Sequence, residues 1–299
     1  MNADEGPGEG GEATPEQSAE ELLDEARRWW RTDIIDVRPG EISLRGYPIE
    51  ELLGRAGFVD TIWLMLRGEL PSRAHAALFE AALVASVDHG PQAPSIAIAR
   101  MAATCGVPMN AAMASAINVL GDVHGGPGQQ CMELYLEIDA ELERTRELGE
   151  ATRVVLQRHR DAGVRYIPGF GHRFHPLDPR TPRLLSLVEA VAAEGTVDGR
   201  FADIGRAVED AISAGRTRRV PMNVDGATAV IYCELGLTPE LGRGVFILAR
   251  SVGILAHASE QMTQGGRIKG PMPKSIGYTY TGPARRSVPL ADDERGTTS

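Results

Sequence analysis

The sequence predicts a mostly α-helical protein, and three observations point that way. Apolar residues recur at helical spacing through most of the chain. Alternating runs that would form strands are few and short. The helical stretches are parted by glycine- and proline-rich breaks, and no repeat of fixed period appears. At 299 residues and 42% hydrophobic, the chain can bury one large core or two modest ones.

Residues 1–17 are rich in Gly, Glu, Pro and Ala with nothing to bury, so 1–18 is expected to be a disordered acidic tail. Leu22, Leu23 and Ala26 then recur at helical spacing up to Trp29 and Trp30. Ile34 to Leu44 alternates around Pro39-Gly40, the pattern of a short hairpin. Arg45-Gly46-Tyr47-Pro48-Ile49-Glu50-Glu51-Leu52 leads into a helix carrying Phe58, Ile62, Leu64, Met65 and Leu66, which Gly68 and Pro71 end. A helix from about Arg73 to Val87 follows and breaks at Asp88-His89-Gly90-Pro91. Helices of small residues are expected near Ser95–Thr104 and Met109–Leu120. In the second, Ala111, Ala112, Ala114 and Ala116 suit close helix approach in a core or a subunit interface.

Gly121-Asp122-Val123-His124-Gly125-Gly126-Pro127-Gly128 is the next break, followed by a charged amphipathic segment over about Gln130–Asp161. Pro168-Gly169-Phe170-Gly171-His172-Arg173-Phe174-His175-Pro176-Leu177-Asp178-Pro179-Arg180 admits neither a regular helix nor a strand. Its glycines let backbone amides approach a ligand closely, and its prolines fix the path on which Arg180 projects. Helices near Thr181–Glu194 and Phe201–Gly215 come next, then Arg216-Thr217-Arg218-Arg219. The break Pro221-Met222-Asn223-Val224-Asp225-Gly226 opens a buried-looking helix to Leu235. Gly242–Met262 reads as a long apolar helix interrupted by Arg250, His257 and Glu260, and 286–299 as a flexible tail.

The net charge of −10 is concentrated at one end. Residues 1–26 hold nine acids and no Lys or Arg, which leaves the remainder at about −1. Basic side chains are thus available locally for an anionic ligand, while no basic stripe argues for nucleic acid. No apolar run approaches a bilayer span and no signal peptide is apparent, so no membrane partner is expected. Cys105, Cys131 and Cys233 are scattered and odd in number, which suits a reducing cytoplasm and supplies no zinc framework.

Three breaks each present one titratable group suited to moving a proton near neutral pH: His124, His172 and Asp225. Singly, each has an ordinary explanation. A His before Gly-Gly can cap a helix, and an Asp before Gly is commonly a turn or N-cap. Together, with Asp88-His89 opening a further break, they resemble an ordered signature. Asp88-His89, Val123-His124-Gly125-Gly126, Pro168 to His172 with Asp178-Pro179-Arg180, and Asn223-Val224-Asp225 are similar to the citrate synthase superfamily. The stretches from Arg45 to Leu52 and from Ala249 to His257 resemble it too, so the likeness runs from about residue 40 to 280.

That resemblance implies an all-α homodimer, or a higher assembly of dimers. Each subunit would have a large helical domain (19–124 and 232–285) and a smaller one (125–231) closing over the site. It implies chemistry at the carbon beside a thioester, a weak acid that needs a pre-placed donor at the enol oxygen. His124 would donate to that oxygen, Asp225 would exchange the carbon-bound proton, and His172 would serve the ketone or alcohol oxygen. Asp225 suits this role if burial sets its basicity. His89, Arg180 and Arg250 would bind a 2-oxo dicarboxylate such as oxaloacetate. For Arg250 the competing expectation is a helix arginine satisfied by a structural Glu. His175 and His257 are expected to be structural or to stand behind the substrate-contacting groups.

Coenzyme A would lie against Tyr166, Ile167, Pro168, Gly169, Phe170 and Gly171, with Arg173, Arg216, Arg218 and Arg219 as phosphate candidates. For the last three a solvated face is an equal reading. No Walker loop or dinucleotide fingerprint is present. No metal is expected, although His172, His175 and Asp178 could form a small metal site in a hydrolase.

Several features depart from the synthase pattern. The His172-to-Arg180 spacing is one residue shorter, and Gly270 stands before Pro271 where synthases carry an arginine for the neighbouring subunit's site. Lys269 and Arg267 are nearby. Asp88-His89-Gly90-Pro91 and Asn223-Val224-Asp225-Gly226 are more similar to the citryl-CoA lyase portion of ATP-citrate lyase. The expected activity is therefore cleavage of citryl-CoA, or a related 3-hydroxy-3-carboxyacyl-CoA, to acetyl-CoA and oxaloacetate. A citrate or 2-methylcitrate synthase and a non-catalytic CoA-binding dimer are the alternatives.

Overall fold

A computed structural model describes residues 18–172, 176–273 and 275–288. It holds twelve helices and one three-stranded sheet among the described residues, so the all-α expectation is met. The chain opens with α1 (Ala19–Trp29), capped by Ser18 and Glu21, which bond each other's backbone N–H reciprocally. The hairpin expected around Pro39-Gly40 is present as β1 (Ile35–Arg38) and β2 (Glu41–Leu44), with β3 (Tyr47–Pro48) added antiparallel to β2. The short α2 (Ile49–Leu52) follows, then α3 (Phe58–Arg67), α4 (Arg73–Ser86), α5 (Pro94–Thr104) and α6 (Met109–Ile117).

The charged stretch over 130–161 is two helices, α7 (Pro127–Thr145) and α8 (Leu148–Asp161). Arg146 takes a left-handed φ of 60°, and the Glu147 carboxylate accepts from the N–H groups of Gly149 and Glu150. The apolar spacing runs on across this turn, which hid the break. The chain continues as α9 (Arg180–Ala193), α10 (Arg200–Ser213), α11 (Val224–Glu234) and α12 (Pro239–Gln264).

Every side of α11 is buried from Gly226 to Cys233, as its unbroken apolar run requires of a central helix. It is surrounded by α4, α7, α9 and α10, and with them builds the main apolar cluster. A second cluster joins α5, α6 and α12 through small residues. Ala99, Ala112, Ala116 and Ala258 are fully buried there, whereas Ala114 faces outward.

Helix α12 is longer than expected. By length and composition it could cross a membrane, contrary to the reading that no apolar run approaches that length. The physical reason is its use as a packing spine: it lies against α4, α5, α6 and α7 and carries the buried Arg250 inward.

Candidate active site

The two breaks that present His172 and Asp225 are joined by backbone hydrogen bonds. Gly171 N–H donates to the Pro221 carbonyl at 2.7 Å, and Asn223 N–H donates to the Gly169 carbonyl at 2.9 Å. Phe170 and Met222 face each other in this antiparallel bridge. Asn223 adds its side chain: Nδ2 donates to the Gly171 carbonyl at 2.8 Å, and Oδ1 accepts from the N–H groups of Asp225 and Gly226. One asparagine thus ties the loop to the start of α11, where Asp225 stands in the first turn. Only glycine fits at 169. Its φ is +82°, and a Cβ there would lie 2.5 Å from Cys131 Sγ and 2.9 Å from Gly226 Cα.

Asp178 fastens the third side. Its carboxylate is fully buried and accepts four hydrogen bonds. Oδ1 takes the N–H and Nε of Arg180, while Oδ2 takes Arg180 Nη2 at 2.8 Å and Val224 N–H at 3.1 Å. Arg180 also donates from Nη1 to the Ala85 carbonyl, so its guanidinium is pre-set between α4, α9 and α11. Burial alone would raise the Asp178 carboxyl, but the Arg180 hydrogen bonds and charge outweigh it and hold it below the ordinary carboxylate value. With four donors on its two oxygens, this carboxylate is spent, which removes it from the metal-site alternative. Arg173 and His175, expected respectively as a CoA contact and a structural group, lie outside the described residues, as do 1–17 and 289–299 of the two tails.

His124 sits on the loop between α6 and α7 and reaches the start of α5. Its Nε2 accepts from the Ser95 backbone N–H at 3.1 Å, with Ser95 Oγ 3.0 Å away. A ring nitrogen that accepts from a backbone N–H carries no proton, so in the neutral ring the proton is on Nδ1, which becomes a donor. Burial, and secondarily the Arg250 charge, lower the pKa of this imidazole and favour that neutral form.

Arg250 is the common neighbour. It is 5% exposed, its Nε donates to the Ser86 carbonyl at 3.1 Å, and its guanidinium lies 5.0 Å over the Phe246 ring. No glutamate partner is recorded for it among the described residues; the carboxylates that act on its charge are Asp225 and Asp88. Burial lowers its pKa, and those two acids oppose the shift. Asp225 is pushed up by burial, with Arg250 and then Arg180 pulling against it. His89 is lowered by burial, then by Arg250, Arg180 and His172, and its ring centroid is 6.3 Å from that of His172. His89, His124, Asp225 and Arg180 therefore all lie within electrostatic reach of one buried guanidinium, and His172 adjoins His89.

Tyr166, Ile167 and Phe170 line a cavity of about 410 Å³ between α8 and α10. Arg160, Arg165 and Arg216 line it as well, giving three cations at one hollow. Of the arginines singled out from the sequence, Arg216 faces this cavity, whereas Arg219 is engaged by Glu209 and Asp210 at 2.6 Å each. Arg160 and Arg165 were missed: Arg160 lies in the last turn of α8, a helix rich in charged residues, and Arg165 just beyond it, and nothing in their spacing separates them from a solvated face. Ser95 was missed too, for its part is played by backbone as much as by side chain.

Comparison with known proteins places these features in context. The family model described as "Citrate synthase, C-terminal domain" matches residues 28–83 and 71–272. The citrate synthase of Haloferax volcanii is 31% identical over 217 residues, 72% of this chain and 53% of that protein. That of Acidithiobacillus ferridurans is 30% identical over 231 residues and 56% of its length, so the chain spans about half of the synthases it matches. Among solved structures, citryl-CoA lyase from Hydrogenobacter thermophilus superposes with a TM-score of 0.74 at 30% identity, covering 87% of this chain and 97% of that one. ATP citrate lyase from Methanothrix soehngenii, solved with citrate and coenzyme A, shares the fold at 20% identity, with a TM-score of 0.69 over 93% of this chain and 47% of that one.

Proposed function

The chain is an enzyme of the citrate synthase family, and from that premise we propose that it cleaves citryl-CoA, or a related 3-hydroxy-3-carboxyacyl-CoA, to acetyl-CoA and oxaloacetate. The observation that carries the chemistry is the acceptor-locked Nε2 of His124, which leaves Nδ1–H to donate to an enol oxygen. In cleavage, His172 takes the alcohol proton as the carbon–carbon bond breaks. The bonding pair is left on the carbon beside the thioester carbonyl, as an enolate whose oxygen is met by His124. Asp225, raised by burial and so able to enter protonated, returns a proton to that carbon. Arg180, Arg250 and His89 hold the carboxylates of the oxo-acid half. The CoA moiety lies along Tyr166–Gly171 with its phosphates toward Arg160, Arg165 and Arg216.

Cleavage is favoured over condensation by the 30% identity to a citryl-CoA lyase across nearly its whole length, and by Gly270, which offers no cation. Lys269, beside it, donates from Nζ to Gln261 Oε1 at 3.2 Å and from its N–H to Thr104 Oγ1. The proposal extends to a cytoplasmic homodimer. The outward apolar stripe of Leu248, Val252, Leu255 and Met262 on α12 supports a self-associating face. We also propose that 125–231 acts as the closing domain.

The test supplies citryl-CoA with malate dehydrogenase reporting oxaloacetate, beside oxaloacetate plus acetyl-CoA or propionyl-CoA with a thiol reagent. Oxaloacetate well above the Asp225→Asn background is expected. Thiol release alone would favour a synthase, and CoA binding without turnover in either direction would favour a non-catalytic dimer.

A further inference from the structure

One face of α12 reads a single turn of chain. Arg250 donates from Nε to the Ser86 carbonyl. One turn on, Gly253 has no side chain, and a Cβ there would overlap the Val87 carbonyl oxygen and lie 3.0 Å from Asp88 Oδ1. A further turn on, His257 Nε2 stands 3.3 Å from Asp88 Oδ1 and 3.4 Å from Oδ2. Residues 250, 253 and 257 share one stripe by helical spacing. The turn they grip, 86–88, immediately precedes His89.

The far side of His257 is equally constrained. Arg100 Nη1 lies 3.0 Å from His257 Nδ1, and Arg100 is itself held by Glu260 and by Gln264 Oε1. A guanidinium only donates, so Nδ1 must be the acceptor and the neutral ring carries its proton on Nε2. That proton points at Asp88, whose Oδ2 also accepts from Gly90 N–H on the other side of His89. Asp88 thus brackets His89 from below, and His257 brackets Asp88.

We infer that His257 is a positioning residue. Arg100 fixes its tautomer, and its Nε2–H anchors Asp88 so that the 88–90 turn presents His89 beside His172 and Arg250. This rests on the reading that His89 and Arg250 bind the oxo-acid carboxylates, and it adds a group that touches no substrate.

Two amides separate this role from simple packing. Glutamine places its NH2 near the position of Nε2 and keeps the donor to Asp88; asparagine reaches only the Nδ1 position and loses it. Calorimetry on the full chain would titrate oxaloacetate and, separately, coenzyme A into the wild type, His257→Gln and His257→Asn. His257→Gln is expected to bind oxaloacetate within about threefold of wild type, and His257→Asn roughly 10- to 100-fold more weakly, as loss of a hydrogen bond to a charged group implies. Coenzyme A affinity should be unchanged in both. Equal oxaloacetate binding by the two variants, or a parallel loss of both ligands together with the melting temperature, overturns the inference.

A second measurement needs no ligand. Long-range 1H–15N spectra should report His257 as the Nε2–H tautomer, and the His89 ring signals should move in His257→Asn and stay in His257→Gln. A His257 ring protonated on Nδ1 alone, or His89 signals indifferent to both changes, also overturns it. Failure of the wild type to bind oxaloacetate would sink the proposed function, leaving these spectra to decide the positioning role.

Discussion

At the scale of single residues, the site depends on groups whose protonation is set by their surroundings, and Asp225 bears the largest consequence. Its folded pKa is raised, chiefly by burial, so the folded state disfavours its charge. The resulting penalty is absent at acid pH, grows as pH climbs past the ordinary carboxylate range, and is complete above the raised value. Replacing Asp225 by Asn is therefore expected to cut turnover by about 10²- to 10⁴-fold while raising the melting temperature at neutral pH. That gain should vanish in melts at low pH. Asp178 behaves with the opposite sign. Its carboxyl is held below the usual range by Arg180, so its contribution is present above ordinary carboxylate pKa values and is lost as pH falls through the lower folded value. Asp178→Ala should cost about 2 to 4 kcal/mol in denaturant melts at neutral pH, since it strands Arg180 and the first N–H of α11 together.

At the scale of elements, the helices were legible and their junctions only partly so. Apolar spacing located α4, α9, α10 and α11 to within a few residues, because each buries one face or, for α11, every face. The same signal ran across Arg146 and merged two helices, since a left-handed cap on a non-glycine residue leaves no compositional mark. The catalytic candidates were visible as titratable groups at glycine-marked breaks. What fastens those breaks was not: Asn223 and Asp178 act through backbone N–H and carbonyl groups that no side-chain pattern encodes. Gly169 shows how tight that fastening is. Gly169→Ala would combine a left-handed φ with overlap against Cys131 and Gly226, and should cost about 2 to 4 kcal/mol by denaturant unfolding. Gly171→Ala, 3.6 Å from its nearest neighbour, would carry the φ strain without the overlap and should cost less.

For the whole molecule, the family-like order of the motifs foretold an all-helical architecture, and the chain has it. The three-cation hollow between α8 and α10 emerged only from the fold, because Arg216 comes from a stretch of sequence far from Arg160 and Arg165. The bridge between Phe170 and Met222 has a mechanical effect on the molecule as well. With Asn223 and Asp178 it ties residues 169–171, 178–181 and 221–226 into one bonded unit, which Arg180 joins to α4 through the Ala85 carbonyl. Amide exchange at Gly171 and Asn223 should accordingly stay slow with or without oxaloacetate and coenzyme A, while exchange in the 88–90 turn responds to them.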